Sequence, residues 1–161
     1  MIGGQRGFTL MELLVGMAVM ALIMAAVFGV LSSSINAQMY GFSQERSFND
    51  ARRVMQAASD ELRYSTGQTI ATGGSDISYS RPDDSTGVFR NGRIQNFAGG
   101  QVQITRGTVS ETLGSGQVQV NFAYGTQAQQ IQVTVTAQVP ANGGTSQIVL
   151  QTVVWTGPII R

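Results

Sequence analysis

The apolar positions of this chain change their repeat three times, and each change predicts a different element. From Phe8 to Leu31 the sequence reads FTLMELLVGMAVMALIMAAVFGVL, almost without polar interruption, and Glu12 is its only charge. As a helix this run is ~36 Å long at ~1.5 Å per residue, enough for a hydrocarbon core of ~30 Å. A secretory h-region is shorter, roughly 7–15 residues, and is followed by a small-residue cleavage site. The run therefore reads as a membrane span. Past Leu31 polarity rises, yet apolar residues return every three or four positions: Phe28, Leu31, Ile35, Met39 and Phe42, then Phe48, Ala51, Met55, Ala58 and Leu62. Helical periodicity thus continues to about Tyr64, with Asp50, Arg52, Arg53, Asp60, Glu61 and Arg63 expected mostly on other faces. Ser65-Thr66-Gly67 is the predicted stop, and Gly29 and Gly41 are potential weak points.

Residues 66–100 are rich in Gly, Ser, Thr, Asp and Asn. They read as a loop region with small strands around Ile77-Ser78-Tyr79 and Val88-Phe89-Arg90, separated by turns at Pro82-Asp83-Asp84 and Asn91-Gly92. Beyond Gly100 the repeat becomes two. Val102 and Ile104 alternate with polar residues, as do Val118, Val120, Phe122 and Tyr124, then Ile131, Val133, Val135, Ala137 and Val139. Ile148 to Trp155 is more continuously apolar. Gly125 and Asn142-Gly143-Gly144 stand where hairpin turns are needed. These strands predict an antiparallel sheet with one apolar face, and the helix stripe from Phe42 to Leu62 is available to cover it. The expected class is α+β: a long N-terminal helical spine packed on an antiparallel β-sheet.

Composition narrows the function. The 161 residues include no Cys and no His, ten basic residues that are all Arg, and nine acidic residues, giving a net charge of +1. Disulfides, thiolate metal sites and Cys nucleophiles are excluded, and the commonest general base is missing. No serine has a histidine or lysine to activate it. Asp83 and Asp84 lack the convergent oxygen ligands of a calcium loop and read as turn residues. Gly114-Ser115-Gly116 lacks a phosphate-loop lysine and reads as a flexible turn. Arg81, Arg90, Arg93 and Arg106 are diluted by Asp76, Asp83 and Asp84 and lack an aromatic stacking series, which disfavours nucleic-acid binding. No catalytic residue, metal site or cofactor is predicted.

The N-terminus points elsewhere. Arg6 precedes the span and the next basic residue is Arg46, so the positive-inside rule keeps the N-terminus cytoplasmic and exports the rest. Glu12 is costly in a membrane helix, by ~2.5–3.5 kcal/mol for an acidic residue at mid-helix, and the span holds no cation to pair with it. Ala18, Ala21, Ala25 and Gly29 form a small-residue line that lets helix backbones approach closely in lipid.

Gly7-Phe8-Thr9-Leu10-Met11-Glu12, behind a short leader with Arg6 and at the head of the apolar run, resembles the type IV prepilin signature. Met11 stands where isoleucine or valine is more usual. The resemblance is strong over residues 3–31 and architectural beyond them. It implies a leader over 1–7, cleavage between Gly7 and Phe8 by a prepilin peptidase, and N-methylation of Phe8. Glu12 is then the fifth mature residue, placed to receive the new amine of a staggered neighbour. The implied segments are a transmembrane and filament-core helix over 8–31, its amphipathic continuation over 32–65, and a head of loops and antiparallel sheet over 66–161.

The implied partners are other pilin or pseudopilin subunits, an assembly ATPase and an inner-membrane assembly platform. The implied location is the inner membrane as a single-pass protein, then an extracytoplasmic pilus or pseudopilus. Three features are similar to minor pilins and J-type pseudopilins: the segment around Arg52, Arg53, Leu62 and Arg63; the Tyr79/Arg81 strand; and the closing Val149–Val154 run. The alternative is a bitopic membrane-anchored protein whose β domain binds a ligand and never polymerises, which leaves Gly7-Phe8 and Glu12 without a role.

Overall fold

The structure is a computed structural model describing residues 9–83, 86–141 and 144–157. Among these residues one helix is followed by eight strands, an α+β fold as in pilins: α1 (Leu10–Arg63), β1 (Thr66–Ile70), β2 (Asp76–Pro82), β3 (Phe89–Phe97), β4 (Gln101–Arg106), β5 (Val109–Leu113), β6 (Val118–Tyr124), β7 (Gln130–Ala141) and β8 (Gly144–Trp155). The chain divides into two compact units, Met1–Gly41 and Phe42–Arg161.

In the first unit α1 is apolar around its whole circumference and, among the described residues, its side chains are exposed. Leu13, Val15, Met20, Leu22 and Phe28 are all exposed. It is long and apolar enough to cross a membrane. α1 continues without a break past Gly16, Gly29 and Gly41, where an added side chain would meet only open space.

In the second unit two antiparallel meanders share one core with the C-terminal part of α1. The first sheet runs in the order β1-β2-β3-β4-β5 and the second in the order β6-β7-β8. The core joins Ala51, Val54, Ala58 and Leu62 of α1 to Ile77, Ile94, Val102 and Ile104 of the first sheet. From the second sheet come Val118, Val120, Phe122, Ile131, Val133, Val135 and Val154. The period-two pattern works as expected: in β7 every second residue from Ile131 to Val139 is buried. Burying these β-branched side chains contributes roughly 1.5–3 kcal/mol each before the entropy of ordering them is charged against it.

The structure departs from the sequence reading in several places, each for a visible reason. Residues 66–100, read as a loop region with small strands, hold the three regular strands β1, β2 and β3, which join β4 and β5 in a five-stranded sheet, so the head has two sheets and not one. Its strands read as polar because only one or two residues per strand reach the core, such as Ile70 in β1, Ile77 and Tyr79 in β2 and Leu113 in β5.

Asn91-Gly92 is not a turn; both lie inside β3, with Gly92 opposite Tyr79 in β2. A Cβ on Gly92 would overlap the Tyr79 ring, so this glycine is a seat for an aromatic side chain. The Asp83 turn closes through Asp83 N–H to Val88 O at 2.9 Å and Gly87 N–H to Asp83 O at 2.8 Å; Asp84 lies outside the described residues. Gly114-Ser115-Gly116 is pinned rather than loose, because the Asp50 carboxylate of α1 accepts both the backbone N–H (3.1 Å) and the hydroxyl of Ser115.

The buried stripe of α1 begins later than expected. Phe42 is 70% exposed and Phe48 42%, and the core face runs Ala51, Val54, Ala58, Leu62. Tyr124 points out of the core, and its hydroxyl bridges to β1, donating to Gln68 O (3.3 Å) and accepting from Ile70 N–H (3.2 Å). β8 alternates too: Val154 is buried while Val149, Val153 and Trp155 are exposed. The β6–β7 hairpin closes where Gly125 predicted it, with Gly125 N–H bonded to Gln130 O at 2.8 Å. The β7–β8 register brings Ala141 opposite Gly144, and Asn142-Gly143 between them lies outside the described residues.

Candidate functional site

The N-terminal end of α1 is built around a local hydrogen-bond exchange between Thr9 and Glu12. Thr9 O accepts the backbone N–H groups of Glu12 (3.0 Å) and Leu13 (3.2 Å), the first bonds of the helix. Thr9 Oγ1 accepts the Glu12 N–H at 3.3 Å, and the Thr9 hydroxyl donates to Glu12 Oε2 at 3.5 Å. This is the work of an N-cap residue, whose side chain and carbonyl share the Glu12 N–H at the open end of the helix. Glu12, an acid in the first turn, also sits at the favourable end of the helix dipole. The carboxylate is exposed, as are Ala18, Ala21, Ala25 and Gly29, which α1 sets along one side at steps of three and four. Gly7 and Phe8, the residues at the implied cut, lie outside the described residues.

A second cluster, which sequence reasoning missed, lies in the second unit. Glu61 of α1 is only 5% exposed. Its Oε1 accepts from Arg106 Nε of β4 at 2.5 Å and its Oε2 from the Tyr79 hydroxyl of β2 at 2.9 Å, while Arg81 Nη1 stands 3.4 Å from Oε2. Arg106 also reaches Glu111 of β5 at 3.1 Å, and Arg81 lies 5.7 Å over the Tyr64 ring. The sequence reading put Glu61 on an outer face. The signal against that was its spacing: Val54, Ala58 and Glu61 follow one another at four and three, alongside Leu62. Tyr79 and Arg81, two apart in β2, share a face.

The electrostatics follow from this geometry. Burial pushes the Tyr79 phenol well above its ordinary pKa, and the neighbouring Glu61 charge and the hydrogen bond to it push the same way. For Arg106, partial burial alone would lower the pKa, but Glu61 and Glu111 outweigh it and the guanidinium is held more firmly charged than usual.

A cavity of about 450 Å³ opens beside the cluster, bordered by Glu61, Tyr79, Arg81, Asp83, Arg90 and Arg106. The arginines considered as a cationic surface are each matched to a carboxylate: Arg81 and Arg106 to Glu61, Arg90 to Asp83 at 2.9 Å, and Arg93 to Asp76. Arg93 also projects from the opposite face of the sheet, alternating with buried Ile94 and Gly92. The four therefore form no common patch. Among the described residues no group of three or more acidic side chains converges on a metal-sized space.

A family model described as the prokaryotic N-terminal methylation motif matches residues 2–28. No curated protein and no solved structure matches the chain. The motif and the exposed apolar helix beneath it support a type IV pilin-like protein that is a substrate of prepilin peptidase, and they fit anchoring in a membrane. Proteins of that kind are typically structural rather than catalytic.

Proposed function

We propose that the chain is a structural subunit of a type IV pilus or of a type II secretion-like pseudopilus. It is inserted as a single-pass precursor with the N-terminus cytoplasmic, cut between Gly7 and Phe8, and N-methylated on Phe8. It then polymerises through the first part of α1. Partners are the prepilin peptidase, an inner-membrane platform and other subunits, and a minor rather than a major role is favoured.

The observation that carries this reading is the coincidence of the methylation motif over residues 2–28 with a helix exposed on every side. An all-apolar helix needs lipid or other helices around it, and a filament core replaces the first by the second. Glu12 then sets the stagger. A carboxylate buried among helices is costly alone and tolerated opposite the Phe8 amine of a neighbour, so only matched registers assemble without penalty. The Ala18, Ala21, Ala25 and Gly29 line provides the close approach.

The test is the intact mass and N-terminal peptide of the protein purified from its native membrane. A chain beginning at methylated Phe8 is the expected result. A chain retaining Met1 or Ile2 in cells with active peptidase overturns the proposal and favours the anchored, non-polymerising alternative.

A further inference from the structure

The two sheets of the second unit present four outer edges, and three are closed by identifiable devices. At β1 the register shifts between Thr66 and Thr69, Gly67 takes a positive φ of 62°, and the Tyr124 hydroxyl occupies Ile70 N–H and Gln68 O. β5 is five residues long and carries Glu111 at its centre. β6 is hydrogen-bonded on the side away from β7: Val118 N–H reaches Gly100 O, Phe122 N–H reaches Gly74 O, and the Asn96 amide both donates to Val120 O and accepts its N–H, each bond 2.7–2.8 Å.

The fourth edge, β8, has none of these. It runs twelve residues from Gly144 to Trp155 in unbroken register with β7, with no charged residue, no proline and no bulge. Among the described residues no backbone hydrogen bond crosses from it to any element other than β7. Val149, Val153 and Trp155 stand exposed on its outward face. A long, flat, neutral edge is a template for strand addition, and proteins normally blunt such edges with charge, proline or a bulge.

We infer that in the unassembled, membrane-anchored protein the outer edge of β8 pairs antiparallel with β8 of a second copy of this chain, a two-fold contact distinct from the staggered contacts of a filament. The edge itself specifies the occupant: a row of main-chain donors and acceptors calls for an extended strand, and the lack of charge calls for a strand that is itself neutral. Among the described strands the one that is neutral, of matching length and unpaired on one side is β8. Because β8 carries no charge of its own, two copies related by a two-fold axis set no like charges opposite one another across the two strands. With the axis at Gln151, Val149 lies opposite the second copy's Val153 on the outward face, so both apolar pairs are covered together.

The chain has no cysteine, which makes cross-linking a clean test. Residues directly opposite across strands have the Cα separation that a disulfide needs. The full-length protein in detergent is given a single Gln151→Cys substitution and mildly oxidised. Gln119→Cys, on the same sheet face two strands away, reports face-to-face stacking or random collision. The expected result is at least about tenfold more linked dimer for Gln151→Cys than for Gln119→Cys. Adding Val153→Lys, which leaves the near-ultraviolet circular dichroism unchanged at this exposed site, should remove most of that dimer by setting a charge against the opposing valine. Equal dimer yields from the two cysteine positions, or a dimer that survives Val153→Lys, overturns the inference.

Discussion

Glu61 Oε1 accepts a 2.5 Å hydrogen bond from Arg106 Nε, joining the last turns of α1 to the end of β4 in the first sheet. Because Glu61 also receives Tyr79 and Arg81, one buried carboxylate organises three donors from two strands. Replacing it by leucine removes the acceptor of the Tyr79 phenol and one carboxylate partner from each guanidinium. The expected loss is about 2–4 kcal/mol, below the ~3–5 kcal/mol of a fully buried pair because both arginines are partly exposed. Arg106→Leu should cost less, because Arg106 is half-exposed and Glu61 keeps Tyr79 and Arg81. Denaturant unfolding of both variants followed by near-ultraviolet circular dichroism gives the order; a larger loss for Arg106→Leu would sink this account.

Tyr79 links the same cluster to pH. Its phenol is held protonated in the folded state, chiefly by burial and then by the Glu61 charge, whereas in the unfolded chain it ionises near pH ~10. The folded state therefore binds the proton more tightly. Stability from this group is complete below pH ~10 and is lost as pH rises above it. In the Tyr79→Phe variant the fall of stability above pH ~10 should be shallower by up to about 1.4 kcal/mol per pH unit, one proton's worth. Unfolding free energies measured across that range for both proteins decide the matter. Parallel slopes would mean that the phenol already ionises in the folded protein.

Gly92 tests the packing above the cluster. It faces Tyr79 across the β2–β3 ladder, and a methyl group there would enter the ring. Gly92→Ala should destabilise by about 1–3 kcal/mol, as overpacking does. In a Tyr79→Ala background the same change should be nearly neutral, since the obstructing ring is gone. A double-mutant cycle reads the coupling directly, and additivity of the two changes would count against a steric cause.

How far these features were legible in the sequence depends on which residues decide them. The helix, its extent past Gly29 and Gly41, and the inward residues of β6 and β7 follow from runs long enough for one period to dominate. The first sheet was obscured because its strands bury few residues. Ile77 and Tyr79 are the only core side chains of β2, and three Ser, Thr or Asp neighbours can be read equally well as loop. Gly92 and Gly114 look alike in sequence, yet one seats a ring and the other turns the chain with φ of 89°. Glu61 was misplaced because charge is taken to mean exposure, and only the arrival of Arg106 from a distant strand makes its burial affordable. At the N-terminus the situation reverses: the methylation motif over residues 2–28 is a linear pattern, so sequence is sufficient to find it.

Glu12 provides the last prediction. Among the described residues its carboxylate accepts a hydrogen bond from the Thr9 hydroxyl at 3.5 Å, a weak contact that leaves capacity for a stronger partner. If the Phe8 amine of a neighbouring subunit is that partner, charge matters and shape does not. Glu12→Gln should then impair incorporation into filaments nearly as severely as Glu12→Ala, and Glu12→Asp should retain part of it. Thr9→Val, which removes the helix cap but no charge, should have a much smaller effect. The measurement is the ratio of subunit in sheared filaments to subunit left in the membrane for each variant, with cleavage at Gly7 monitored by mass so that a processing defect is separated from an assembly defect. Normal incorporation of processed Glu12→Gln would show that the carboxylate's charge does not set the stagger, and the pairing with Phe8 would have to be abandoned.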